Sequence, residues 1–94
     1  MFHFILLRFP AEGNLTIEEA FGQIIRGLRK QRKLSQEKLA FESELDRSFI
    51  SHLERGRKQP SLLTIFQLAR SLKIPPSKLI AAVEDKCAWK NPKD

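Results

Sequence analysis

Residues 35 to 56, SQEKLAFESELDRSFISHLERG, contain two short amphipathic stretches separated by only a few residues. Ser35 is placed to cap a helix from Gln36 to about Ser43, in which Leu39 and Ala40 would be buried. Leu45 and Asp46 interrupt that pattern, and the Asp46 carboxylate can accept a hydrogen bond from the free amides of a next helix. That helix is predicted from Arg47 to about Arg55, is ended by Gly56, and turns Ile50 and Leu53 inward. Its polar side carries Arg47, Ser48, Ser51 and His52.

Three further helices are predicted around this pair. Thr16 and Glu19 form a capping box ahead of a helix from Ile17 to about Arg32, with apolar side chains at Ile17, Phe21, Ile24, Ile25 and Leu28. Pro60-Ser61 opens another helix, whose stripe is Leu62, Ile65, Leu68, Ala69 and Leu72. Pro75-Pro76 stops it and starts a last helix, from about Ser77 to Val83, with Leu79, Ile80 and Val83 apolar. The pattern predicts an all-α fold of five helices.

Length and composition limit the function. Ninety-four residues form one domain with a single modest core, which leaves no room for a second module. The net charge is +6, and ten basic residues but only five acidic ones lie between Arg26 and Lys58, as expected for a partner that is an anion. Cys87 is the only cysteine, so we expect a reducing, cytoplasmic setting and no metal site. The opening MFHFILLRFP is too short for a membrane span and lacks a basic leader, so neither signal peptide nor membrane anchor is expected.

The two central helices are too short to be stable alone, so the other three must hold them. Two such helices joined by a tight turn are typical of the helix-turn-helix, in which the second helix enters the major groove of DNA. A catalytic reading of Asp46, Ser48 and His52 is unattractive because all three lie within about one and a half helical turns, with no nucleophile elbow around the serine. We therefore expect a binding protein that is not an enzyme and needs no cofactor.

Three segments carry a family resemblance: LSQEKLA at 34–40, FISHLERG at 49–56 and QPSLLTIFQLARSL at 59–72. Together they resemble the Cro and phage-repressor type of helix-turn-helix, the Xre family, over about Phe21 to Val83. The resemblance implies a five-helix, lambda-repressor-like DNA-binding domain. Within the family, the chain is most similar to the controller proteins of restriction-modification systems, which bind DNA as dimers. One position departs from the pattern: Glu44 stands where the turn often has glycine, so the turn must close without its preferred residue or with some strain.

The resemblance implies roles for particular residues. Arg47, Ser48, Ser51 and His52 match the positions that face the groove, and an arginine such as Arg47 can bind guanine O6 and N7 with two hydrogen bonds. Gln36 matches a glutamine that contacts phosphate. Arg29 and Glu54 match a structural ion pair between the first and third helices. Other phosphate contacts are expected from Lys38, Arg55, Arg57 and Lys58, giving affinity that falls steeply with salt.

A single recognition helix reads only about four or five base pairs, so such proteins pair on two-fold symmetric sites. In similar regulators the fifth helix and the end of the fourth supply the interface, which would place Leu79, Ile80, Val83 and Trp89 there. The domain is expected at 16–84, between an N-terminal extension, 1–15, and a polar tail, 85–94. The extension is rich in strand formers and would form an edge strand, or else be a disordered leader.

The sequence thus predicts a homodimeric regulator of transcription that binds double-stranded DNA and acts by occupying an operator, as a repressor or an autoregulatory controller protein. The alternative is an antitoxin-type interaction module that also binds DNA, whose hydrophobic N-terminus or tail would mask a small protein partner. Co-purification of a small partner would favour the alternative.

Overall fold

A computed structural model describes residues 15–89 of the chain. They form five α-helices: α1, Ile17–Gln31; α2, Gln36–Ser43; α3, Arg47–Glu54; α4, Leu62–Ser71; and α5, Pro76–Lys86. The predicted all-α, five-helix class is confirmed. The extension at 1–14, and with it the predicted edge strand, lies outside the described residues. In the described part, no helix is both long and apolar enough to cross a membrane.

Helix α1 is the central support of the fold, since it packs against both α3 and α5. Its capping box is present: the Thr16 hydroxyl accepts from the Glu19 amide at 3.0 Å, and the Glu19 carboxylate accepts from the Thr16 amide at 2.9 Å. Ile24 and Ile25 are fully buried. Ile17 was expected in the same stripe but is 50% exposed, because it stands at the first position of the helix beside an open hollow that it lines with Ile80 and Val83.

The hydrophobic core is formed by one face of each helix. Its fully buried large side chains are Ile24, Ile25, Leu39, Ile50, Leu53, Leu68 and Leu79. Complete burial of one such side chain stabilises the fold by about 1.5–3 kcal/mol. Helices α2 and α3 have eight residues each and depend on this burial, because their isolated helical states would be unstable.

The turn between α2 and α3 closes through Glu44, whose φ of 61° and ψ of 40° are left-handed. The Leu45 amide then donates to the Ala40 carbonyl at 2.9 Å, which satisfies the end of α2. A side chain in this conformation costs about 1–2 kcal/mol relative to right-handed backbone, so the turn carries the strain expected from the missing glycine. Lys33 and Lys73 have the same conformation after α1 and α4.

Helices α4 and α5 differ from the sequence expectation in two ways. Leu62 was placed in the buried stripe of α4 but is 70% exposed, together with Leu63 at 68% and Phe66 at 53%. Helix α5 continues past Val83 to Lys86, and Cys87 is buried in the core. The polar run Glu84–Lys86 suggested an end there, yet these residues favour helices, and Cys87 continues the apolar face one turn after Val83. The folded unit thus extends beyond the boundary expected at residue 84.

Candidate nucleic-acid interface

Helix α3 has one hidden side and one open side. Ile50 and Leu53 are fully buried against the core, whereas Arg47 and Ser48 in the first turn are exposed. His52, one turn later, is half-buried. Three of the four residues predicted to face DNA therefore share a surface that reaches solvent.

Ser51, the fourth predicted base-reading residue, is only 8% exposed, far less than Arg47 and Ser48. It lines a polar cleft of about 230 Å³ where α1, α2 and α3 meet. The other residues of the cleft are Arg26, Arg29, Gln36, Arg47, Glu54 and Arg55. The helical spacing predicted Ser51 on the polar side of α3, and the structure places it there at the bottom of this cleft, with little surface of its own.

Asp46 stands at the N-terminal cap of α3 with extended backbone, as predicted, but its side chain makes no capping hydrogen bond. Asp46 is instead exposed at the turn between α2 and α3. The expected Asp46 cap is therefore wrong, and α3 is held by its buried side rather than by its first turn.

A network of hydrogen bonds fixes the hidden side of α3. Arg29 Nε lies 2.6 Å from Glu54 Oε2, and Arg29 Nη2 donates to Glu54 Oε1 at 2.9 Å. Arg29 Nη1 also donates to the Leu34 carbonyl at 2.8 Å, and Gln36 Nε2 donates to Glu54 Oε1 at 3.0 Å. Both side chains of the ion pair are at most 10% exposed. One carboxylate thus joins α1, the start of α2 and the end of α3, which sets the rotation of α3 about its own axis.

Gly22 has a structural role that the sequence reading missed. A Cβ built on Gly22 would lie 2.2 Å from the Leu53 carbonyl oxygen and 2.7 Å from that of Glu54. Backbone oxygens cannot yield as a flexible side chain can, so only glycine lets α1 cross α3 at this distance. The available signal was a glycine inside a strong amphipathic helix, which suggests a close packing contact.

Basic side chains surround the open side of α3. Arg55, Arg57 and Lys58 follow the helix and are exposed, and Lys38 is exposed on α2. Gly56, with a φ of 73°, turns the chain after α3, and the Arg57 amide donates to the His52 carbonyl at 2.9 Å. Lys38 Nζ also lies 3.9 Å from Glu42 Oε2 and 5.8 Å from the centre of the Phe41 ring.

The orientation of His52 has a chemical consequence. Its Nδ1 is buried and has no hydrogen-bond partner among the described residues. A buried N–H without an acceptor is more costly than a buried acceptor without a donor, so the neutral ring favours its proton on Nε2. His52 then presents a donor at the outer end of the ring. Within residues 15–89, no three His, Cys, Asp or Glu side chains come together as a metal site.

Comparison with known proteins agrees with this geometry. Residues 25–79 match the family model described as helix-turn-helix. The control protein C.BamHI of Bacillus amyloliquefaciens is 43% identical over 66 residues, which cover 69% of this chain and 82% of that protein. The immunity repressor of Bacillus phage phi105 is 42% identical over 59 residues, 63% of this chain and 41% of the repressor.

Among solved structures, the restriction-modification controller protein C.AhdI from Aeromonas hydrophila is 48% identical, with a TM-score of 0.64 over 66% of this chain and 94% of that one. The matched region contains the α2–α3 pair, the Arg29–Glu54 ion pair and the exposed basic residues after α3. The chain belongs to the helix-turn-helix family of DNA-binding transcriptional regulators, as its sequence predicts.

Proposed function

We propose that the chain regulates transcription as a controller-type protein, by occupying a two-fold symmetric DNA operator as a dimer. The observation that carries this proposal is the division of α3: Ile50, Leu53 and Glu54 fix its hidden side, while Arg47 and Ser48 stand open at its first turn. A helix held in this way can enter the major groove, about 12 Å wide, with its N-terminal side chains against the base edges.

Arg47, Ser48 and His52 are the proposed base-reading residues. The Arg47 guanidinium can donate two hydrogen bonds to one guanine, whereas Ser48 supplies a single hydrogen bond. With its proton on Nε2, His52 would donate to an acceptor such as guanine N7 or thymine O4. Ser51, 8% exposed in the polar cleft beside Arg47, offers less surface for a base contact than these three.

Gln36, Lys38, Arg55, Arg57 and Lys58 are the proposed phosphate contacts. The Gln36 amide nitrogen carries two hydrogens, and one of them is used by Glu54. The second can point to a phosphate oxygen, so Glu54 would orient Gln36 for DNA rather than compete with it. The four cations are exposed and supply affinity that does not depend on base sequence.

The proposed dimer uses a surface of α4 rather than the residues expected from the sequence. Leu79 is fully buried and Val83 is 5% exposed, so of the four predicted interface residues only Ile80, at 43%, and Trp89, at 54%, offer substantial surface. Leu62, Leu63 and Phe66 instead expose a continuous apolar surface on α4. A second copy of the chain is the partner that a two-fold operator requires. Dimer formation would make operator occupancy rise steeply with protein concentration, which suits autoregulation.

Replacing Leu63 and Phe66 together with serine tests this interface. Both side chains point to solvent in the single subunit, so folding should be preserved while dimers dissociate. Sedimentation at tens of micromolar, an order-of-magnitude choice, should show dimers of the unaltered protein and monomers of the variant. Unchanged dimers in the variant would exclude the α4 surface.

Selection of bound sequences from a random DNA pool tests the proposal as a whole. A two-fold symmetric consensus is the expected result, and binding without any consensus would contradict it. Arg47→Ala should cost about 1–3 kcal/mol on the preferred site and remove the preference at one base pair. Lys58→Ala is the matched control, because loss of a phosphate contact should weaken binding to all sequences equally and reduce its salt dependence.

The DNA target also implies a cytoplasmic location. The antitoxin alternative gains no support from the relatives named above, which are control proteins and a repressor. No residue of the proposed interface needs a catalytic role, since the regulator acts by occupying DNA.

A further inference from the structure

An apolar groove lies between the start of α1 and the end of α5. Its walls are Ile17, Ile80, Val83, Cys87 and Trp89, with Glu84 at the edge, and its volume is about 320 Å³. A second hollow of about 100 Å³ shares Ile17, Ile80 and Val83 and extends the groove past Phe21 and Ile65 to Pro60. We call the two together the α1–α5 groove.

The groove is costly if it remains open to water. Ile17 is 50% exposed, Ile80 43% and Trp89 54%. A volume of about 320 Å³ would hold on the order of ten water molecules, each occupying about 30 Å³, next to walls that offer them almost no hydrogen bonds. Covering these side chains would stabilise the protein by the hydrophobic effect. The groove therefore favours an apolar occupant.

We propose that the occupant is the N-terminal segment of the same chain, residues 2–9, with the sequence FHFILLRF. Six of its eight residues are large and apolar, and it can supply apolar side chains on either side of an extended strand. The DNA-binding surface gives this segment no role, because none of its residues belongs to α1–α5.

Connectivity supports this choice. Helix α1 begins at Ile17, which itself lines the groove, so the segment is tethered at the groove's own wall. Residues 10–14, PAEGN, contain proline, glycine and asparagine, which favour chain reversals. Five residues span at most about 17 Å, which keeps the segment close to the groove. A short tether gives an effective concentration of about millimolar, an advantage that no separate partner has.

Charge supports the same occupant. The two charged residues that line the groove are acidic, Glu18 and Glu84, in a chain whose net charge is +6. The segment contains one formally charged residue, Arg8, which is of the opposite sign. A second copy pairing symmetrically through the groove would bring Glu18 and Glu84 toward their own counterparts, which like-charge repulsion disfavours.

Trp89 provides a direct test, because it is the only tryptophan and the chain has no tyrosine. Acrylamide quenching of its fluorescence should be compared between the unaltered chain and a serine variant that carries Phe4→Ser, Ile5→Ser, Leu6→Ser and Leu7→Ser together. The variant should be quenched about two-fold more strongly, since Trp89 is 54% exposed when the groove is open. Phe41→Ser is the matched control: it removes an exposed aromatic ring from α2, outside the groove, and should leave quenching unchanged.

A charge exchange gives a second, independent readout. Arg8→Glu should increase quenching, and Glu18→Lys with Glu84→Lys in the same protein should restore protection. Equal quenching of Trp89 in the unaltered protein and the serine variant would overturn the proposal. Protection that appears in both only as protein concentration rises would also overturn it, because a second copy would then be the occupant. Neither result bears on DNA binding, which depends on α3.

Discussion

Two clusters of charged side chains, both built from α1 and its neighbours, differ in almost every physical respect. In the α1–α3 crossing, Arg29 and Glu54 approach to 2.6 Å, and their side chains are 10% and 4% exposed. In the surface cluster, Glu42 lies 3.9 Å from both Arg32 and Lys38, and every member is at least 32% exposed. The same pairing of a carboxylate with a basic side chain is thus buried in the α1–α3 crossing and exposed to solvent in the surface cluster.

This difference in burial indicates which charged side chains position α3. Water and salt screen an exposed pair, so its contribution to folding is about 0–1 kcal/mol. A buried carboxylate must have its partners, and Glu54 has three hydrogen bonds from Arg29 and Gln36. Only the crossing therefore constrains the rotation of α3, and substitutions at the two clusters should have very different effects.

Glu54→Gln should give the largest loss of stability. It keeps the size of the side chain but leaves the buried Arg29 guanidinium without an anion, which costs about 3–5 kcal/mol. Urea unfolding followed by circular dichroism should show a much lower midpoint. A loss below about 1 kcal/mol would mean that the crossing behaves like a surface pair.

The double variant Arg29→Met with Glu54→Gln is the control for the interpretation that an unpaired buried charge causes the loss of stability. The double variant no longer contains an unpaired buried charge, so it should recover part of the stability lost in Glu54→Gln. A double variant less stable than Glu54→Gln alone would show that Arg29 stabilises the fold mainly through the Leu34 carbonyl or by packing.

Gly22→Ala should come next, with a loss of about 3 kcal/mol, the upper part of the usual range for an overfilled contact. The new methyl group would meet two backbone carbonyl oxygens of α3, so α1 and α3 must separate. Thermal unfolding gives the measure. Gly27→Ala, the same change in the same helix, is the control and should be neutral or stabilising by up to about 1 kcal/mol. Similar effects at the two glycines would contradict the close crossing.

Glu44→Gly should stabilise the protein by about 0.5–1 kcal/mol, because glycine adopts the left-handed conformation of the α2–α3 turn without strain. Glu37→Gly in the exposed first turn of α2 is the control and should destabilise the protein. A lower urea midpoint for Glu44→Gly would show that its side chain makes a contact that outweighs the strain.

Glu42→Gln should have the smallest effect, within about 0.5 kcal/mol, because both its ion pairs are long and exposed. Unfolding measured at low and high salt is the appropriate assay, and the small difference should vanish at high salt. A loss comparable to that of Glu54→Gln would remove the distinction between the two clusters.

The sequence predicts the local parts of this fold well. Caps at Thr16 and Ser35, the helix pair at Gln36–Ser43 and Arg47–Glu54, and the turn at Glu44 depend on residues within a few positions of one another. What it could not supply depends on distant neighbours. The low exposure of Ser51, the close approach at Gly22 and the exposure of Leu62 depend on how whole helices cross, which hydrophobic periodicity does not reveal.

The same limit applies to the site. The exposure of Arg47 and Ser48 could be predicted from their positions on the polar side of α3, whereas their contact with bases stays a prediction. Leu79 and Val83 were expected at an interface because an apolar stripe looks alike whether its own subunit or a partner covers it. Packing of α5 against α1 and α4 decides that question, and it places Leu79 in the core.

The rotation of α3 is fixed by contacts of Gly22, Arg29, Gln36 and Glu54. The residues at positions 47, 48 and 52 take no part in these contacts, so they can vary with little loss of folding stability. Under the proposed base-reading role of these three side chains, duplicated copies of such a protein could diverge to separate target sequences within a few substitutions and no longer bind each other's sites. The domain therefore offers a starting point for engineered regulators that do not bind each other's sites, in which these three side chains are exchanged and the α1–α3 crossing is kept unchanged.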